Sequence, residues 1–293
     1  MPSTFSPIIA GTMNWGQWGS RFSTQEYLTQ IELCLNEEVS TFDHADIYGH
    51  YTTEEEFGKA LSLKPSLRQK IQLISKCGIR MVTPNRPSHL IKSYDTSKQH
   101  IISSAERSLT NLQTDHINLL LIHRPDPLMH PDEIAEAFLQ LKQQGKVLDF
   151  GVSNFTVSQT AMMASRYPIS VNQLEVSILH LFPFLDGILD QCIEKKITPM
   201  AWSPLGGGKL FNNPEDERKK RILAAAQILA EKYNASPDQL LLSWLLHHPS
   251  GILPVMGTTK IERIKAAVAA LSIKITREEW FMLWRASTGH EVA

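Results

Sequence analysis

Short apolar runs alternate with longer amphipathic stretches along the chain. Several of these runs hold consecutive apolar residues rather than a strict alternation, which is typical of strands buried on both faces, as in a parallel sheet. The predicted strands are residues 7–13, 39–45, 71–77, 117–123, 147–153, 169–175, 197–203 and 252–257.

The amphipathic stretches between the strands predict helices. Residues 24–37 place Tyr27 and Ile31 on one face at helical spacing. Residues 236–248 begin with Ser, Pro and Asp, as an N-cap and a first helical turn do. Further predicted helices are 132–143, 216–233, 260–271 and an extra C-terminal helix at 276–288.

Each predicted strand is followed by at least one helix. Eight such βα units in a chain of 293 residues predict an α/β protein with a (β/α)8 TIM barrel, formed by residues 1–293 as a single domain. A doubly wound sheet is the alternative, but it needs a Gly-rich loop after an early strand, and residues 11–19 do not match that motif. The Gly- and Pro-rich loop 203–215 is predicted to be a flap over a ligand.

Charge and cysteine content narrow the functional classes. Lys and Arg number 29 against 30 Asp and Glu, which argues against a nucleic-acid partner. No apolar run approaches the roughly 20 residues that cross a bilayer, so no membrane partner is predicted. The three cysteines are widely separated and form no CxxC, so neither disulfides nor a metal site are expected. With no leader pattern at the start, we expect a reduced, cytoplasmic protein.

Polar side chains recur at the ends of the predicted strands. The carboxyl ends of barrel strands build the active site of a TIM barrel, so these residues are expected to share one pocket. Each also has a purely structural interpretation: Asp43 and Lys76 as a buried ion pair, Trp202 as core packing. Their joint occurrence favours the pocket. They are Asp43, Tyr48, Lys76, His123, Ser153, Asn154, Asn172, Gln173, Trp202, Ser203, Thr258, Thr259 and Lys260.

Other catalytic motifs do not fit. SPLGGGK (203–209) resembles a phosphate loop, but Ser203 and Leu210 stand where Walker A requires Gly and Ser or Thr. The chain contains neither HExxH nor GxSxG.

The segments that carry the polar residues resemble the aldo-keto reductase superfamily, in the same order and at the same strand positions. They span residues 40–264 and read STFDHADIYG, LISKCG, LLLIHRPD, GKVLDFGVSNF, VNQLEVS, AWSPLGGG and GTTKIERI. The resemblance implies a (β/α)8 barrel that binds NADP(H) without a Rossmann motif and reduces the carbonyl of a small aldehyde or ketone. It maps the family's catalytic tetrad onto Asp43, Tyr48, Lys76 and His123.

The implied mechanism makes Tyr48 the general acid. A free phenol has a pKa of about 10 and is a weak acid at neutral pH. A neighbouring cation stabilises the phenolate and eases proton donation, and Lys76 is that cation. Asp43 orients Lys76, and His123 hydrogen-bonds the substrate carbonyl.

The resemblance also assigns cofactor contacts. Ser153, Asn154 and Gln173 hold the carboxamide, and Trp202 stacks on the nicotinamide. The other contacts are Gly11, Thr12, Met13 and Asp43 beside the cofactor, Ser203, Leu205, Gly206 and Lys209 along the pyrophosphate, and Gly257, Thr258, Thr259, Lys260 and Arg263 at the adenosine end. Ala266 and Ala267 stand where relatives often carry adenine-binding side chains.

Two other functions remain open at this stage. One is a non-catalytic relative, similar to the cofactor-binding β subunits of potassium channels, which retain the tetrad. The other is a barrel aldolase that forms a Schiff base on Lys76. Trp15, Trp18 and residues 78–96 are expected to shape the substrate pocket; the sequence predicts neither the substrate nor the oligomeric state.

Overall fold

The computed structural model describes residues 5–212 and 216–293, so the end of the predicted flap, residues 213–215, lies outside the described residues. The strands are β1 (Ile9–Gly11), β2 (Thr41–Asp43), β3 (Gln72–Cys77), β4 (Ile79–Arg80), β5 (Ser93–Tyr94), β6 (Ile117–Ile122), β7 (Val147–Ser153), β8 (Val171–Glu175), β9 (Thr198–Trp202) and β10 (Leu253–Met256).

Eight of these strands close into a parallel barrel in the order β1-β10-β9-β8-β7-β6-β3-β2. This confirms the predicted (β/α)8 fold, and each barrel strand falls inside a predicted apolar run. The remaining two strands, β4 and β5, lie outside the barrel and pair antiparallel in a small hairpin that begins just after β3. Two-residue strands are too short to give a periodic signal, so the sequence did not predict this hairpin.

Helices surround the barrel, and the predicted ones are confirmed to within two residues at each end. They are α1 (Thr24–Asn36), α2 (Tyr48–Tyr51), α3 (Thr53–Leu63), α4 (Lys98–Leu112), α5 (Pro131–Gln143), α6 (Val157–Ala164), α7 (Ile188–Lys195), α8 (Glu217–Tyr233), α9 (Pro237–Leu246), α10 (Ile261–Ala269) and α11 (Arg277–Thr288). Capping boxes start several of them, as at Ser236 and Gln239 of α9.

The barrel interior is packed rather than hollow. Its buried side chains are Ile9, Ile74, Leu119, Leu121, Val171, Met200 and Val255. Larger apolar clusters fill the layer between the strands and the helices. Because the interior is filled with apolar side chains, the polar groups at the carboxyl ends of the strands are confined to one mouth of the barrel. In residues 5–212 and 216–293, no helix has the length and apolarity that spanning a membrane requires.

Candidate active site

Lys76 forms the centre of a buried polar cluster at the mouth of the barrel. Its Nζ donates to Oδ2 of Asp43 at 2.7 Å, to the His44 carbonyl oxygen at 2.7 Å and to Oη of Tyr48 at 3.1 Å. Lys76 is 1% exposed and Asp43 is 3% exposed. Parallel pairing of β2 with β3 brings the two side chains to the same mouth of the barrel. Three of the four predicted catalytic residues therefore form one hydrogen-bonded group.

A left-handed turn of the chain positions Tyr48. Gly49, His50 and Tyr51 follow it with φ values of +57°, +59° and +71°. Such a run is costly for residues that carry a Cβ, so surrounding contacts must hold it in place. Tyr51 supplies one, because its hydroxyl donates to the Ile79 carbonyl and accepts from the Met81 amide.

His123 completes the cluster from the end of β6. Its backbone amide donates to the Cys77 carbonyl at 2.8 Å, and its ring lies edge-on to that of Tyr48, with centroids 6.1 Å apart. Nδ1 has no hydrogen-bond partner in the described part of the chain. Burial, together with the charge of Lys76, lowers the pKa of His123 well below its usual value. The imidazole is therefore neutral at pH 7, with one ring nitrogen a donor and the other an acceptor.

The charges in the cluster match the requirements of proton donation. Burial raises the pKa of Tyr48, while the ammonium of Lys76 opposes that rise. Burial by itself lowers the pKa of Lys76, but Asp43 and Tyr48 outweigh it, and the net shift is upward. At neutral pH the site thus holds a protonated phenol beside a permanent ammonium.

Three of the four side chains predicted at the nicotinamide, with the backbone carbonyl of the fourth residue, Gln173, form a second hydrogen-bonded chain. The indole Nε1 of Trp202 donates to Oδ1 of Asn154 at 3.0 Å, and Nδ2 of Asn154 donates to Oγ of Ser153 at 2.7 Å. Ser153 in turn donates to the carbonyl of Gln173 at 3.0 Å. This chain links β7, β8 and β9 and fixes the indole ring at the mouth.

The ends of β1 and β10 also meet here. Thr12 is fully buried, and its hydroxyl donates to the Asp43 carbonyl at 3.0 Å, so it supports the tetrad. The side chain of Asn14 donates to the Gly257 carbonyl at 2.9 Å. Gly11 and the half-exposed Met13 are thereby brought beside the loop that follows β10.

The start of α10 is suited to an anion. Lys260 is its N-cap, and no side chain caps the free amides of the first turn. Lys260 and Arg263 are exposed, and neither has a carboxylate within 4.0 Å among the described residues. A helix amino terminus flanked by two cations is a typical phosphate site. Thr258 and Thr259 precede it, whereas Ala267 is fully buried and cannot contact a ligand.

The loop after β9 carries the remaining predicted contacts. Ser203 and Gly206 adopt positive φ, and the Gly206 amide donates to the Ser203 carbonyl at 2.8 Å. Leu205 is half-buried and Lys209 is exposed on the same turn. Of these residues, only Lys209 is exposed to solvent.

Comparison with known proteins decides the family. A model of the aldo/keto reductase family matches residues 7–286. The chain belongs to this family. An oxidoreductase from Bacillus subtilis, YcsN, is 48% identical over 98% of this chain and 96% of its own length. A 6-dehydroglucose reductase from Agrobacterium fabrum is 41% identical over 90% and 88%, respectively. An aldo/keto reductase from Klebsiella pneumoniae, solved with NADP and acetate, superposes with a TM-score of 0.76 at 25% identity, over 96% of this chain and 91% of that one.

Two sequence expectations for this aldo/keto reductase are wrong. Asn172 does not face the pocket: its Nδ2 donates to the Phe155 carbonyl at 3.0 Å, toward the helix layer, because successive strand residues point to opposite faces. Trp15 does not line the pocket either. It is 1% exposed and packs within the core against Phe42 and Phe57. Trp18 does approach the site, with its ring centroid 6.0 Å from that of Tyr48.

Sequence reasoning missed two residues at the mouth. His44 is fully buried, with Nδ1 2.9 Å from Oγ1 of Thr12, and burial lowers its pKa to about 3. It is therefore a neutral part of the wall behind Lys76. Arg124 directly follows His123, and its guanidinium carbon lies 5.6 Å from the centroid of the Trp202 ring. The sequence did contain a signal for Arg124, because a basic residue directly follows the predicted catalytic histidine.

Proposed function

We propose that this aldo/keto reductase uses NADPH to reduce the carbonyl group of an aldehyde or ketone, with Tyr48 as the proton donor. The observation that carries the proposal is the position of the Lys76 ammonium between the carboxylate of Asp43 and the phenol of Tyr48. If Lys76 and Asp43 formed a purely structural ion pair, the ammonium would not need the phenol of Tyr48 as a further hydrogen-bond partner.

The chain's own residues account for the proton. The bound cofactor supplies a hydride to the carbonyl carbon. Negative charge then develops on the carbonyl oxygen, and Oη of Tyr48 gives it a proton. Lys76, 3.1 Å away, stabilises the phenolate that forms. The neutral imidazole of His123 donates its N–H to the same oxygen and orients it.

The residues predicted to hold NADPH fit it in charge and shape. The indole ring of Trp202, held by Asn154, offers a flat surface for the nicotinamide. Lys260 and Arg263 at the uncapped start of α10 suit a 2′-phosphate, which favours NADPH over NADH. The Klebsiella relative, solved with NADP, supports the same choice.

The two alternatives are less well supported. A Schiff-base aldolase needs a neutral lysine as nucleophile, but Asp43 and Tyr48 overcome the effect of burial and raise the pKa of Lys76. The predicted tetrad does not separate a non-catalytic relative from an enzyme, because the β subunits of potassium channels retain it. The Agrobacterium relative, a 6-dehydroglucose reductase by name, supports an enzyme.

The test is NADPH oxidation, followed by absorbance, across a panel of aldehydes, ketones and quinones. We expect turnover with aldehydes. Borohydride treatment in the presence of a carbonyl substrate serves as the counter-test. Covalent trapping on Lys76, or tight NADPH binding with no turnover of any substrate, would reject the proposal in favour of one of the two alternatives.

A further inference from the structure

Arg124 is a half-buried cation with almost no partner. The only hydrogen bond from its guanidinium within the described residues runs from Nη1 to the carbonyl of the adjacent His123, at 3.4 Å. No carboxylate in residues 5–212 or 216–293 lies within 4.0 Å of it. Burying a guanidinium without partners costs free energy, and burial lowers its pKa.

A second half-buried arginine shows how this chain satisfies the same group elsewhere. Burial lowers the pKa of Arg68 as well. Its guanidinium nevertheless donates to four acceptors, which are Thr114 Oγ1, the carbonyls of Ile71 and His116, and Asn118 Oδ1. Arg68 is a structural arginine at the foot of the barrel, whereas Arg124 keeps its donors free at the mouth.

The loop that carries Arg124 is held rigidly, and its own carboxylate is engaged elsewhere. Asp126 accepts the Thr96 hydroxyl at 3.0 Å through Oδ2 and the Leu128 amide at 2.9 Å through Oδ1. Both oxygens of the nearest acid in the sequence thus shape the turn instead of neutralising Arg124. The backbone of His123, just before it, is anchored on Cys77.

The guanidinium lies at the mouth of the barrel, near Trp202 and the predicted catalytic residues. It lies 5.6 Å from the Trp202 ring centroid, and its charge acts on the pKa of both Tyr48 and His123. Lys92 of the loop between β4 and β5 also acts on the pKa of His123. Glu175, at the end of β8, is the carboxylate whose charge acts on Arg124, yet it forms no ion pair with it. The mouth therefore carries a positive excess beside the proton donor.

We propose that Arg124 is a specificity-determining residue that binds the carboxylate of an oxo-acid substrate, so that the preferred substrates carry an anionic group in addition to the reacting carbonyl. A guanidinium pairs with a carboxylate through two parallel N–H···O bonds, which would satisfy the donors left free. The inference rests on the proposed reductase function. In the reaction, the aldehyde carbon accepts hydride from NADPH, which becomes NADP⁺, and its oxygen accepts the Tyr48 proton. The carboxylate stays bound to Arg124, and water reprotonates Tyr48.

The experiment compares two aldehydes of nearly equal shape, 4-formylbenzoate and the neutral 4-formylbenzamide. We expect the wild-type protein to reduce the carboxylate with a kcat/KM about 10- to 100-fold higher than the amide, which is the usual effect of charge-assisted hydrogen bonds. Arg124→Met should bring the ratio close to one, chiefly through a higher KM for the carboxylate. Arg124→Lys, which keeps the charge but loses the planar fork, should restore part of the ratio.

Arg277 offers a matched control, because its guanidinium carbon lies 5.6 Å from the Phe281 ring centroid on α11, away from the mouth. Arg277→Met should keep the wild-type ratio. Equal reduction of both aldehydes by the wild type would overturn the role of Arg124 and leave the reductase function intact. NADPH affinity of the Arg124→Met variant should be measured by fluorescence titration. If this affinity falls by as large a factor as kcat/KM does, Arg124 binds the cofactor, and the inference is overturned. Failure to reduce any aldehyde would overturn the proposed function itself.

Discussion

The side-chain amide of Gln173 donates to Oδ1 of Asp43 at 2.8 Å across a sequence separation of 130 residues. Lys76 occupies the other carboxylate oxygen of Asp43 at 2.7 Å. Both oxygens are thus fixed by donors. Asp43 is held in one orientation, and it holds Lys76 in turn. Gln173, predicted as a cofactor contact, therefore also positions the tetrad.

Tyr48→Phe should lower turnover by about two to four orders of magnitude, the usual contribution of general acid–base catalysis. The phenylalanine keeps the ring and its packing but has no proton to give. NADPH binding, measured by fluorescence titration, should persist. Tyr233→Phe, which removes a phenol hydroxyl on α8 far from the barrel mouth, is the control and should turn over like the wild type. Near-normal reduction by Tyr48→Phe would exclude this residue as the acid.

Lys76→Met should move the pH profile of alcohol oxidation. In that direction Tyr48 must first lose its proton, so the rate rises as pH passes through its pKa. Burial raises this pKa and Lys76 opposes the rise, so removing Lys76 should raise it further. The profile should shift to higher pH by about one to three units. A Lys76 that served only the fold would lower the rate equally at every pH.

The pair Asp43 and Lys76 allows stability to be separated from chemistry. Lys76→Met alone leaves a buried carboxylate without its cation, which costs about 3–5 kcal/mol. Adding Asp43→Asn removes that charge, so the double variant should regain thermal stability. It should not regain activity, because the cation beside Tyr48 is still absent. Melting temperature and turnover should be measured for both single variants and the double; activity that follows the melting temperature would make Lys76 a structural residue.

Lys260→Ala combined with Arg263→Ala should narrow the preference for NADPH over NADH. Both cations flank the uncapped start of α10, where a 2′-phosphate would gain charge-assisted hydrogen bonds. The Kd for NADPH should rise by about 10- to 100-fold, while that for NADH should change little. Lys265→Ala, on the same helix but 3.6 Å from Glu37, is the control. Equal affinity of the wild type for the two cofactors would contradict the assignment.

Gly58→Ala should destabilise the protein even though alanine favours a helix over glycine by about 1 kcal/mol. A Cβ at Gly58 on α3 would lie 2.0 Å from the carbonyl oxygen of Asn111 on α4. The two helix backbones touch there, so we expect a loss of about 1–3 kcal/mol or more in urea unfolding. Ser62→Ala, at an exposed position of α3, should instead be neutral or slightly stabilising. A Gly58→Ala protein as stable as the wild type would mean that α3 and α4 can separate freely.

The barrel and its catalytic cluster could be predicted because both depend on local order in the chain. Apolar runs predict strands that are buried on both faces, as in a parallel sheet, and the carboxyl ends of parallel barrel strands meet at one mouth. Asp43, Lys76 and His123 each end a strand, so their convergence follows from the fold. The Ser, Pro and Asp that begin residues 236–248 predicted the start of α9 in the same way.

The positions of other side chains depend on which helices and strands pack together, and only the tertiary structure decided them. Trp15 was predicted to shape the pocket, yet its contacts with Tyr27 of α1 and Phe57 of α3 bury it in the core. Asn172 and Gln173 are adjacent in sequence, but the strand pleat sends only Gln173 to Asp43. The sequence by itself determined the barrel, its alternation of strands and helices, and the strand ends at which Asp43, Lys76 and His123 lie. Tertiary packing decided which of those residues face one another, which hydrogen-bond donors stay free and which charges lack a partner. The physical reason is that contacts between residues far apart in the chain set these distances, and local sequence patterns do not encode them.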